Sequence, residues 1–150
     1  MARLILLDSG PLGLNVRAPS KPQVVRCVTW MKAISATGGS IIIPEIAHYE
    51  LRPELFRIRA VASSQRLERY LDPSSGLAHL TLTTEAIIKA AEYWGFLRHS
   101  GLATASPDAL DADAILASQA ALVGHPGDTV TFATTNLAHL SRFPGIDALC

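Results

Sequence analysis

Short unbroken apolar runs alternate along this chain with longer stretches in which apolar residues recur every three or four positions. The first run, Leu4 to Leu7 in "RLILLDSGP", stops at Asp8 and turn residues, which predicts a buried strand over 3–8. "SIIIP" (40–44) predicts a second strand, "LAHLTL" (77–82) a third, and 129–134 within "DTVTFATTN" a fourth; a short fifth is expected near 146–149. "QVVRCVTWMKAISAT" carries apolar residues at 24, 25, 28, 31 and 34, a helical spacing that Gly38-Gly39 ends. Residues 15–22 read as loop. Pro44 suits the first turn of a helix over 45–51, Pro53 should interrupt it, and a longer helix should follow over 54–71. "DPSSG" reads as a loop, Thr84 as the cap of a helix running to 99, and 109–123 as a last helix ended by Gly124.

Strands alternating with helices predict an α/β domain with a mainly parallel sheet of four to five strands and helices on both faces. No repeat or long linker divides the 150 residues, so one domain over 1–150 is expected.

Composition adds to this picture. The chain is 49% apolar and only 17% charged, which excludes a disordered chain and leaves apolar surface for self-association or a partner. The formal net charge is zero, so any nucleic-acid role must rely on local charge or on a metal. Cys27 and Cys150 sit in no zinc-type cluster and read as free thiols in a reducing cytosol. No signal-peptide pattern is evident, and no apolar run nears the ~18 residues of a membrane span. A cytoplasmic location is the expectation.

In open parallel sheets ligands bind at the carboxyl ends of the strands. Asp8 sits at such an end, as do Thr134, Thr135 and Asn136; Glu50 lies on the helix after the second strand, and Asp111 and Asp113 open the helix before the fourth. Carboxylates gathered on one edge repel one another, and a divalent cation removes that repulsion. An all-oxygen donor set suits Mg²⁺ or Mn²⁺, which can polarise a phosphoryl oxygen and acidify a bound water.

Four segments carry a resemblance: "LLDSGPLG", "IIIPEIAHYELRPEL", "LDADAILASQA" and "TTNLAHLSRFPGI". In that order, and over nearly the whole chain, the sequence resembles the PIN-domain family and, within it, the VapC-like ribonuclease toxins of toxin–antitoxin pairs. The resemblance implies a three-layer α/β/α fold, Mg²⁺ or Mn²⁺, endonucleolytic hydrolysis of RNA phosphodiester bonds, an antitoxin protein partner and a homodimer. It places Asp8, Glu50 and Asp113 in the acidic positions of the metal site. The fourth position falls on Asn136, which is neutral and can coordinate through its carbonyl.

Each assignment has a plainer rival. Asp8 can cap a turn, and Asp113 can be a first-turn acid. Asp111 and Asp113 diverge by about 200° on a helix, so only one faces any given point, and Asp111 reads better as a cap. Ser9 and Thr134 hydroxyls can bond the carboxylates or serve the turns. Glu45 and Glu50 share one helix but diverge by about 140°. Glu45 is served by the first-turn N–H groups, whereas Glu50, near the helix end, needs something positive, either the metal or a nearby Arg such as Arg52. Five arginines lie between Arg52 and Arg69, with Arg59 and Arg66 expected on one helix face, either solvated or touching phosphate. Trp30, Trp94 and Phe96 read as core or dimer contacts. The neutral charge and Asn136 also leave room for a non-catalytic PIN-fold module that binds RNA or a protein.

Overall fold

The structure is a computed structural model, and it describes residues 1–101, 107–135 and 147–149. The elements in chain order are β1 (Arg3–Leu7), α1 (Ser9–Val16), α2 (Pro22–Ala36), β2 (Ser40–Pro44), α3 (Glu45–Arg57), α4 (Val61–Leu71), β3 (Ala78–Leu80), α5 (Thr84–His99), α6 (Pro107–Val123), β4 (Thr129–Ala133) and β5 (Asp147–Leu149). The sheet order is β3-β2-β1-β4-β5 and every neighbouring pair is parallel.

The side-chain alternation of a strand divides the core in two. Leu6, Ile42 and Phe132 point to one face and pack against Ala90, Tyr93 and Leu97 of α5 and Ala114, Leu116 and Ala117 of α6. Ile5, Leu7, Ile41, Ile43 and Ala133 point the other way, against Leu12 and Val16 of α1, Met31 and Ile34 of α2, and Leu55 and Leu67 of α3 and α4. The result is the expected α/β/α sandwich. Continuous apolar runs mark β1 and β2 because both of their faces are covered.

Four boundaries differ from the sequence reading. A helix, α1, begins directly after Asp8, in a stretch whose Gly and Pro content argues for a turn. Pro11 is tolerated in its first turn, where its missing N–H has no intrahelical partner, and Leu12 N–H reaches Asp8 O at 3.1 Å. Pro53 does not end α3, which continues to Arg57. The carbonyl deprived of its donor belongs to Tyr49, an exposed residue within reach of water. Beyond the C-cap Ile58, Arg59 adopts φ 53° and closes a Schellman pair: Arg59 N–H to Phe56 O at 3.1 Å and Ala60 N–H to Leu55 O at 2.9 Å. Arg59 therefore does not share a helix face with Arg66. Thr83, not Thr84, caps α5, its Oγ1 accepting from Ala86 N at 3.1 Å. Finally, α6 begins at Pro107, so Asp111 is not its cap and Asp113 lies well beyond the first turn.

Candidate functional site

Because the strands are parallel, their carboxyl ends lie on one edge, and the residues just past those ends share it. Asp8 follows β1 and is buried. Its Oδ1 accepts from Ser9 N at 2.7 Å, so it caps α1, and its Oδ2 accepts from the Thr134 hydroxyl, just past β4, at 2.7 Å. Capping and a place in the site are therefore compatible roles for one carboxylate. Ser9 contributes through its backbone and Thr134 through its hydroxyl. Gly10 lets α1 press against the end of β4: a Cβ there would meet Thr135 Oγ1 at 2.7 Å.

Glu50, on α3, has its carboxyl pushed up to about 7, first by desolvation and then by the charges of Asp8 and Asp113. Its side chain is exposed, so water screens these charges in part. The charges of Asp8 and Asp113 thus both bear on Glu50. Asn136 lies outside the described residues. The donor set is all oxygen and negatively charged, which fits Mg²⁺ or Mn²⁺.

An open, mainly apolar groove of about 520 Å³ adjoins Asp8, lined by Pro11, Cys27, Trp30, Thr134 and Thr135, with Arg26 among its walls. Cys27 accepts a hydrogen bond from Asn15 Nδ2 at 3.2 Å, and burial raises its thiol pKa. Trp30 is half-buried against the α1–α4 side of the core, Trp94 packs on the other side under Arg98, and Phe96 is exposed. Of the five arginines, Arg52 pairs with Glu68 at 2.6 Å, Arg57 with Glu54 at 2.6 Å, and Arg66 donates to Val16 O at 2.9 Å.

Glu45 occupies the first turn of α3, and its Oε1 accepts from Leu82 N at 3.2 Å. It also belongs to a group the sequence reading missed. Donor atoms of Glu45, His48 and His79 lie within 4.8 Å of one another, the one such group among the described residues. His48 Nε2 and His79 Nε2 are 3.1 Å apart, and His48 Nδ1 accepts from Arg52 Nε at 3.1 Å. His48 has a lowered pKa, mainly from burial and then from Arg52 and His79. The available signal was the Glu-x-x-His spacing of "EIAH", which puts two donors on one helix face. Gln119 was also missed. It is buried in α6, accepts from Ile46 N at 3.4 Å and donates to Leu80 O at 3.0 Å, tying the start of α3 to the end of β3.

No family model and no curated protein matches the chain. Solved structures do. A chain of VapBC2 from Rickettsia felis, bound to a DNA fragment from its promoter, superposes with a TM-score of 0.67 at 14% identity, covering 97% of each chain. FitAcB from Neisseria gonorrhoeae gives 0.69 at 18% identity, over 97% of this chain and 96% of that one. DNA-bound VapBC from Salmonella typhimurium gives 0.66 at 19% identity, over 99% and 98%. The fold is therefore the PIN-like α/β/α fold that the four sequence segments implied.

Proposed function

We propose that this protein is a metal-dependent endoribonuclease, the VapC-like toxin of a toxin–antitoxin pair, with Mg²⁺ or Mn²⁺ held by Asp8, Glu50 and Asp113. The observation that carries this reading is the convergence of the Asp8 and Asp113 charges on Glu50 at the strand-end edge, where burial and then these two charges push its carboxyl up to about 7. Clustered acids destabilise a fold unless a cation or a proton offsets them. The likeness of fold to VapBC and FitAcB chains supports it further.

A divalent ion held by these carboxylates would supply positive charge against the phosphoryl oxygens and acidify the attacking water. The chain's own part is positioning. The Ser9 N–H and the Thr134 hydroxyl hold Asp8 by both oxygens, leaving its remaining lone pairs for the cation. Glu50 must give up its proton to bind, so affinity rises with pH through about 7. Arg26, which lines the adjoining groove, would meet RNA phosphate. Asn136 stands as the fourth, neutral donor. Exposed Tyr49 and Phe56 on α3, Ile58 just after it and Val61 on α4, with Ile87, Ile88 and Phe96 on α5, offer apolar surface for an antitoxin and for a homodimer. No helix among the described residues is long and apolar enough to cross a membrane. We place the protein in the cytoplasm as one domain spanning 1–150.

The test is cleavage of RNA by purified protein. Mg²⁺ or Mn²⁺ should support it, EDTA should stop it, re-added metal should restore it, and Asp8→Asn should be folded but inactive. Absence of cleavage in every metal condition points instead to a non-catalytic binding module.

A further inference from the structure

We propose that Glu45, His48 and His79 form a second cation site, selective for Zn²⁺-class ions, on the side of α3 turned away from Glu50. The site does not depend on the nuclease reading. Glu45 and His48 are three apart on α3 and lie on one face, whereas Glu50 is about 200° round the helix from His48. His79 comes from β3, the three-residue edge strand, so the site would join that edge to α3.

The donor chemistry decides the ion. Two imidazoles and a carboxylate suit Zn²⁺ or Co²⁺ rather than Mg²⁺, and three protein ligands leave one position for water. The spacing fits as well. Two nitrogens at 2.0–2.1 Å from a tetrahedral ion are about 3.3 Å apart. The two Nε2 atoms are already at 3.1 Å, and all three donors close to within 4.8 Å.

Arg52 sets the cost of loading. A guanidinium only donates, so its bond to His48 Nδ1 leaves that nitrogen unprotonated. Neutral His48 then carries its hydrogen on Nε2, directed at the lone pair of His79 Nε2. An ion on Nε2 requires that hydrogen to move to Nδ1. Arg52, held also by Glu68 at 2.6 Å, must then turn away from Nδ1. Arg52 therefore holds the empty site in the wrong tautomer and weakens it.

Co²⁺ is the probe, titrated into tag-free protein and followed by its tetrahedral d–d absorption. One tetrahedral Co²⁺ per chain is expected, with its spectrum unchanged in Asp113→Asn. Binding should weaken at least ~100-fold in His79→Ala and tighten ~10-fold in Arg52→Met. His79 is exposed, so its variant should fold, and a retained circular dichroism spectrum checks this. The proposal is overturned by an absent tetrahedral spectrum, by one that survives in His79→Ala, by one lost in Asp113→Asn, or by Arg52→Met binding no more tightly than the parent.

Discussion

Replacing Glu50 with Gln should make the metal-free protein more stable at pH 8, although it removes a residue the proposed chemistry needs. The Glu50 carboxyl sits at about 7 in the fold against an ordinary 4.5. Between those values the folded protein holds a proton that the unfolded chain has lost, so stability falls as pH rises through the window. Unscreened, the difference would correspond to about 3.4 kcal/mol at pH 8. The side chain is solvent-exposed, so we discount this to about 1–2 kcal/mol. For a chain of 150 residues that is a rise in Tm of about 3–6 °C. The assay is thermal and urea unfolding of parent and Glu50→Gln in EDTA, from pH 4.5 to 8. The variant's advantage should be full at pH 8 and vanish near pH 4.5. Saturating Mn²⁺ should stabilise the parent and not the variant. An advantage that does not change with pH, or a parent more stable at pH 8, would refute the claim that Asp8 and Asp113 act on Glu50.

Gln119→Leu leaves the buried Ile46 N–H and Leu80 C=O without their partner, and should cost about 2–4 kcal/mol in urea unfolding with an unchanged m-value. Arg59→Gly should stabilise by about 0.5–1 kcal/mol, because Arg59 adopts φ 53° where a side chain is disfavoured; a destabilised variant in the same measurement would count against the Schellman reading. Thr134→Val keeps the shape but removes the hydroxyl that holds Asp8 Oδ2, and should raise the Mg²⁺ concentration for half-maximal cleavage about 10–100-fold while leaving Tm within a few degrees.

The central strands were legible because β1 and β2 are short apolar runs closed by Asp or Pro, as a strand covered on both faces must read, and because β4 alternates threonine with apolar residues before a polar turn. The placement of Asp8 followed from topology, since parallel strands put their carboxyl ends on one edge. Other features depended on tertiary context. Leu12 and Val16 bury against the sheet and hold α1 in a segment whose Gly-Pro composition argues for a turn. Pro53 looked like a helix end because its lost hydrogen bond is costly in isolation, yet at an exposed turn water offsets that loss. The actual break at Arg59 carries no Gly to announce it. His48 and His79 are 31 residues apart and meet only because β3 pairs with β2 beside α3. Gln119 reads as one polar residue in an apolar helix until Ile46 and Leu80 are placed next to it.

The most direct test of the central claim is where a catalytic cation binds. Crystals of the protein soaked in Mn²⁺, measured for anomalous scattering at the manganese edge, would show the ion itself. The account predicts a peak bounded by the carboxylates of Asp8, Glu50 and Asp113, lost in crystals of Asp113→Asn. No peak there at saturating Mn²⁺, in crystals of protein that cleaves RNA in the same buffer, would contradict it.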